Sequence, residues 1–231
     1  MNTPIEEVEA SGERSLSRVE QVYRKIKSRI LNNEYPAGHQ VLEPELAIQL
    51  GVSRTPVREA LIRLASDKLI LLIPRRGMKV LPIEIKDIKE LLPILSSLEA
   101  TAIEVLCEEP SAEAISQLQD CVESMEACLA ENDSESWLQY DGQYRETLAA
   151  LSGNSRLQCL TQYLLAQLHR AKLLTIKFHD NLAEKTQELR KINAAIAEKN
   201  VQQALSIHRK SASVYEKTFL NIMEKYKIET L

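Results

Sequence analysis

The chain is short of glycine and of aromatic residues: 6 Gly, 1 Trp, 7 Tyr and 2 Phe among 231 residues. β-Sandwiches and barrels draw on turn glycines and aromatic strand residues, so this scarcity in a Leu/Ala/Glu/Lys/Gln-rich chain excludes them and points to helices. Long apolar runs are also missing. The longest strictly aliphatic stretch, Leu69 to Ile73, is far shorter than the roughly 20 residues of a membrane span. The opening MNTPIEEVEASGERS has no apolar core, so no secretory signal is expected. Cys107, Cys121, Cys128 and Cys159 lack CxxC spacing, which favours buried, reduced thiols over a disulfide framework or a zinc site. No glycine-rich phosphate loop follows a strand and no nucleophile–base pair stands out, so neither catalytic residues nor a cofactor are expected. With 44% hydrophobic and 27% charged residues the composition is that of a folded domain. A soluble, cytoplasmic, mainly α protein without a membrane partner is the expectation.

Charge is distributed unevenly. From Arg14 to Val80 there are 13 Lys/Arg against 6 Asp/Glu, and from Leu81 onward 16 against 23. A basic first third joined to an acidic remainder marks a polyanion-binding module attached to something else. Residues 1–14 are polar, acidic and aperiodic, and read as a disordered tail. Leu16, Val19, Val22, Ile26 and Ile30 then recur at helical spacing until Tyr35-Pro36-Ala37-Gly38. A short helix over Pro44–Leu50, a third over Ser53–Asp67 and two strands around Pro74-Arg75-Arg76-Gly77 complete residues 15–81. Three helices closed by a hairpin form a winged helix-turn-helix. Ala47 is small where two helices cross, and Gly51 suits the positive φ of the turn between them. Residues 82–231 carry helical periodicity alone, near 84–109, 111–131, 134–151, 155–178, 180–199 and 201–228, with Pro93 expected to kink or split the first. Six helices with short joints predict an antiparallel bundle able to enclose a small-molecule cavity.

The segment VSRTPVREALIRL, residues 52–64, carries the chemistry of a recognition helix. Its N-terminal end offers Ser53, Arg54, Thr55 and Arg58, and that end enters the major groove of double-stranded DNA. Arg54 and Arg58 share one face, where each guanidinium can pair bidentately with guanine; Ser53 and Thr55 suit phosphate or a thymine methyl. Arg75, Arg76 and Gly77 read as the wing tip, two cations for the backbone or minor groove and a glycine that permits close approach.

Those residues carry a resemblance. "PAGHQVLEPELAIQLGVSRTPVREALIRLASDKLI" and "PRRGMKV" closely resemble the DNA-binding domain of the GntR family of bacterial transcription regulators, and the helical remainder resembles its FadR-type C-terminal domain (FCD), in the shorter, six-helix branch. The resemblance implies a homodimer on a pseudo-palindromic operator, modulated by a small-molecule effector. Lys68 departs from the glycine usual before the wing, with little consequence expected. Many FCD domains hold a divalent metal with one Asp and three His. Here DGQYRETLAALSGN keeps Asp141 but has Arg145 at the first histidine, and Leu189 and Ser211 fall at the other two. The resemblance implies a pocket, while a guanidinium and a leucine in place of imidazoles argue against a metal. His208, three positions before Ser211, and His169 are further candidates for an effector site with Asp141 and Arg145, which at i,i+4 can pair. Leu95 replaces an effector-binding arginine found in many relatives. The reading is a DNA-binding regulator responsive to a small metabolite, with an anion among the candidates; the alternative is a metabolite-binding or enzymatic bundle with an appended basic module.

Overall fold

A computed structural model describes residues 17–82 and 84–226; the tail expected over 1–14 lies outside the described residues, as do positions 227–228, where the last helix is expected to end. Helix α1 (Arg18–Leu31) starts at Ser17, whose side chain accepts from the Glu20 amide, and buries Val22, Ile26 and Ile30 on one stripe. Helix α2 (Glu43–Leu50) ends at Gly51, whose φ of +65° takes the left-handed conformation that spares a side chain its strain. Helix α3 (Arg54–Ser66) follows after two residues and buries Pro56, Val57, Ala60, Leu61 and Leu64.

The wing has one strand more than the sequence predicts. Strand β1 (Gln40–Val41) joins β2 (Ile70–Ile73) and β3 (Gly77–Val80) in an antiparallel sheet ordered β1-β3-β2. Two residues are too few to show the alternation by which a strand is read. At the end of α3, Lys68 adopts φ +56° while the Leu69 amide reaches back to the Leu64 carbonyl, so the lysine occupies the cap position that glycine fills at least cost.

Beyond the joint the chain is helical: α4 (Ile85–Glu108), α5 (Ala112–Ala130), α6 (Ser134–Leu151), α7 (Ser155–Thr175), α8 (Leu182–Ala197) and α9 (Val201–Lys225). Side-chain caps at Ser111, Asp133, Asn154 and Asn200 explain four of the helix starts. Pro93 does not split α4. It removes one donor, but Leu95, Glu99, Ala102, Ile103 and Leu106 are all buried beyond it and hold the helix on the bundle. The stretch expected as one helix to 178 tightens instead into a 3-10 turn over Ile176–Phe178. Cys107, Cys121 and Cys128 are buried free thiols; Cys159 is exposed, against expectation, because it lies off the Leu157–Thr161–Leu164 face of α7. Among the described residues no helix is long and apolar enough to cross a membrane.

The two halves meet at the joint. Arg170 of α7 is buried and donates from Nη1 to the Leu81 carbonyl (2.9 Å), immediately after β3, and α1 packs against α7.

Candidate functional site

Two sites follow from this architecture. On the first domain, the buried face of α3 turns Ser53, Arg54, Thr55 and Arg58 outward, and all four are exposed. Ser53 holds the N-cap position, yet its hydroxyl caps no backbone amide, so it is spare for an external partner. Neither Arg54 nor Arg58 forms an ion pair among the described residues, whereas Arg63 on the same helix pairs with Glu20. Arg75 and Arg76 are exposed at the hairpin tip, with Arg75 at φ +62° and the Arg76 amide closing the turn on the Ile73 carbonyl. Gly77, expected to let DNA approach, has protein against it: a Cβ there would lie 2.2 Å from the Val41 carbonyl oxygen. The crossing of β1 accounts for this glycine.

The second site lies inside the bundle. Asp141 of α6 is completely buried and surrounded by cations from three helices. Arg145 grips it bidentately, Nε to Oδ2 and Nη2 to Oδ1, both at 3.1 Å, while its Nη1 donates to Glu99 of α4. Lys172 of α7 donates to Oδ2 (3.2 Å), and Lys185 of α8 places Nζ 3.1 Å from Oδ1 without hydrogen-bond alignment. The Lys185 ammonium also sits 3.9 Å from the centre of the Tyr215 ring. Burial opposes charge throughout the cluster. It would raise the Asp141 carboxyl, but Arg145, Lys185 and Lys172 outweigh it and hold that group well below the carboxylate range. For Lys185 burial dominates, and Asp141 offsets it only in part, leaving the ammonium pushed down to about 7. Lys172 is lowered for the same reason, whereas the two carboxylates more than offset burial for Arg145.

This cluster floors a cavity of about 260 Å³ between α4, α6, α7, α8 and α9. Leu92, Leu95, Ile103, Leu148, Leu189 and Ile192 give it an apolar wall. His208 stands at the side, its Nε2 2.9 Å from the Ser96 carbonyl oxygen and its Nδ1 3.9 Å from Glu99 Oε2. The structure therefore brings together Asp141, Arg145 and His208, with Asp141 behind the cations rather than on the cavity surface. It does not bring His169 to them. That residue is turned by about 100° from Leu168 and lines the crevice between α1 and the α6–α7 pair.

The comparisons with known proteins agree on one family. The model for bacterial regulatory proteins of the gntR family matches residues 18–80, and the FCD domain model matches residues 90–210. An HTH-type transcriptional regulator from the TAR-I ttuE-ttuC' intergenic region of Agrobacterium vitis is 37% identical over 150 residues, 64% of this chain and 88% of that one. The chain belongs to the GntR family. The gluconate operon transcriptional repressor of Bacillus subtilis is 27% identical over 168 residues, covering 73% of this chain and 68% of its own. Among solved structures, McbR/YncC of Escherichia coli has the same fold, with a TM-score of 0.78 at 20% identity over 92% of this chain and all of that one. This GntR regulator thus joins a winged helix-turn-helix DNA-binding domain to an FCD domain, the metabolite-binding module of the family.

The FCD resemblance implies a metal, and the residues of this GntR chain do not fit one. Both oxygens of Asp141 are already occupied by cationic donors. A divalent ion there would face Arg145, Lys172 and Lys185 at close range, and Leu189 offers no donor. The sequence reading missed Lys172, Lys185 and Glu99 as members of the site. Their signal lay in periodicity: Lys185 continues the Leu189–Ile192–Ile196 stripe of α8, Lys172 the Leu165–Leu168 stripe of α7, and Glu99 the Leu92–Leu95 stripe of α4. A charge on an apolar stripe is carried into the core and must find a partner there.

Proposed function

We propose that the protein works as a cytoplasmic homodimer that places α3 of each subunit in the major groove of a pseudo-palindromic operator, and that a small anionic metabolite in the bundle cavity changes operator affinity. The single observation that carries the DNA reading is the exposed Ser53-Arg54-Thr55/Arg58 end of α3, whose arginines form no ion pair among the described residues. Dimerisation is supported by α4, where Ile94, Leu98, Thr101 and Val105 recur on one face and Ile94 stays 52% exposed. The mechanism is linkage without chemistry: a ligand that favours one arrangement of the two DNA-reading domains shifts the operator equilibrium by its differential affinity.

Selection of genomic fragments with the purified protein tests the reading and supplies an operator. On that operator, Arg54→Ala or Arg58→Ala costs about 1–3 kcal/mol per lost bidentate contact. Arg75→Ala and Arg76→Ala weaken binding evenly across sequences and flatten its salt dependence. Unchanged operator affinity in a folded Arg54→Ala, Arg58→Ala double variant would falsify the docking.

A further inference from the structure

The buried cluster around Asp141 holds one cation too many. Arg145, Lys172 and Lys185 face two carboxylates, Asp141 and Glu99, and none of the five side chains is more than 11% exposed. His208, beside Glu99, adds no negative charge to the count. An excess charge held out of water is unfavourable, and it is relieved when one cation gives up its proton. Arginine does not deprotonate in proteins, so the proton leaves a lysine. Lys172 donates an aligned hydrogen bond to Asp141 Oδ2 at 3.2 Å, whereas Lys185, 3.1 Å from Oδ1, finds no aligned acceptor among the described residues. Lys185 is therefore the member that sheds its proton, and burial pushing its ammonium down to about 7 agrees with the count.

Its surroundings suit a free amine for chemistry. The Lys185 side chain lines the cavity of about 260 Å³, and its Nζ lies 3.9 Å from the centre of the Tyr215 ring and 5.1 Å from that of Trp137. A desolvated lysine beside a second cation, here Lys172, is a nucleophile at neutral pH. Once neutral it is no longer drawn to the Asp141 carboxylate, and its flexible four-carbon stem can turn the nitrogen toward the cavity. We propose that Lys185 is a reactive amine that condenses reversibly with a short aliphatic aldehyde held against the leucine wall of the bundle. The nitrogen lone pair attacks the carbonyl carbon, the C=O π pair moves to oxygen, and a proton passes from nitrogen to that oxygen to give a carbinolamine. Lys172, held on the other oxygen of Asp141, protonates the hydroxyl, which leaves as water while C=N forms, and the nitrogen returns its last proton to Lys172. One aldehyde and one amine give one imine and one water, and nothing is oxidised or reduced. An uncharged ligand leaves the neutral cluster balanced, and a cavity just under the usual lower bound of roughly 300 Å³ limits it to a short chain. This goes beyond the anionic effector proposed above: an anion would restore the Lys185 proton and so compete with the condensation.

The test treats full-length protein at pH 7 with butanal and cyanoborohydride, which reduces each imine to a stable secondary amine, and locates the butylated lysines by peptide mass spectrometry. An exposed lysine titrating near 10.4 holds about 10³-fold less free amine at that pH than Lys185. Lys185 is expected to be butylated at least tenfold faster than any exposed lysine. Raising the pH to 9 multiplies the exposed free amines about a hundredfold and that of Lys185 only about twofold, so the preference shrinks. Unfolding in urea erases it. Lys185→Met loses the fast site, and so does Lys185→Arg, which keeps a cation but no nucleophile. Butylation of Lys185 no faster than that of exposed lysines in the folded parent chain overturns the inference, without recourse to either variant. A preference that persists in urea assigns the reactivity to local sequence rather than to the buried cluster and overturns it as well. A preference independent of pH overturns the charge argument on which it stands.

Discussion

At the residue scale, Lys185 shows what a buried charge does to the molecule that holds it. An unfolded lysine titrates near 10.5, but in the fold this ammonium is pushed down to about 7 by burial against Trp137 and Tyr215, with Asp141 offsetting the cost in part. Between those pH values the unfolded chain binds more protons than the folded one, so this group makes stability rise with pH from about 7 to 10.5. Below 7 its destabilising effect is fully present. Lys172, facing the same carboxylate from α7, acts in the same direction. The thiols of Cys107, Cys121 and Cys128 act in the opposite one, because burial raises them and the folded state then holds protons longer. Lys172 and the thiols remain in Lys185→Met, and Asp141, which loses one of its three cations there, keeps Arg145 and Lys172, so the pH dependence of the difference above pH 6.5 follows Lys185. Urea titrations at pH 6.5, 8 and 9.5 are expected to show Lys185→Met more stable than wild type at pH 6.5, with the gap narrowing as pH rises. A gap independent of pH would show that packing, not titration, sets the difference.

At the scale of the element, α7 links the two halves of the regulator. Lys172 points to the cluster around Asp141, and two residues earlier Arg170 points to the joint, where it donates to the Leu81 carbonyl. Arg170 is 1% exposed, and its Nε and Nη2 have no partner, so its charge is held at a cost that burial makes visible as a lowered affinity for its proton. An arginine kept under those conditions fastens the end of β3 to the helix that carries Lys172, one of the three cations around Asp141. Arg170→Met removes the buried charge together with the tie. The expected outcome is unchanged or higher thermal stability, accompanied by several-fold faster tryptic cutting at Lys79 and Lys86, which flank the joint. Unchanged cutting would mean that the α1–α7 packing alone fixes the joint.

The molecule as a whole was legible in the sequence wherever one physical signal decided one feature. Apolar periodicity placed the helices of the bundle, Gly51 marked the helix-turn-helix turn, and the positions of Ser53, Arg54, Thr55 and Arg58 off the apolar stripe of α3 marked them as exposed. The candidate site was legible only in part, because its members lie on α4, α6, α7, α8 and α9 and meet through packing rather than spacing. Asp141 and Arg145 could be paired at i,i+4 on one helix; Lys172 and Lys185 join them from helices whose rotation depends on every apolar contact in the bundle. The same packing leaves one face without a partner. On α4, Ile94 and Val105 are three turns apart on the same side and both exposed, with Leu98 and Thr101 between them, while the opposite face of that helix holds Leu95, Glu99 and Ile103 in the ligand cavity. A second copy packed on this stripe therefore lies one helix diameter from the bound effector, and rotation of α4 would reach both. Ile94→Glu together with Val105→Glu puts two charges on each side of a self-complementary contact, where like charges meet their own copies. Light scattering is expected to report a folded monomer for this double variant. Its operator affinity falls by about 10² or more, since the second half-site loses the effective concentration that dimerisation supplies. A variant that remains dimeric with full operator affinity would move the dimer contact off α4.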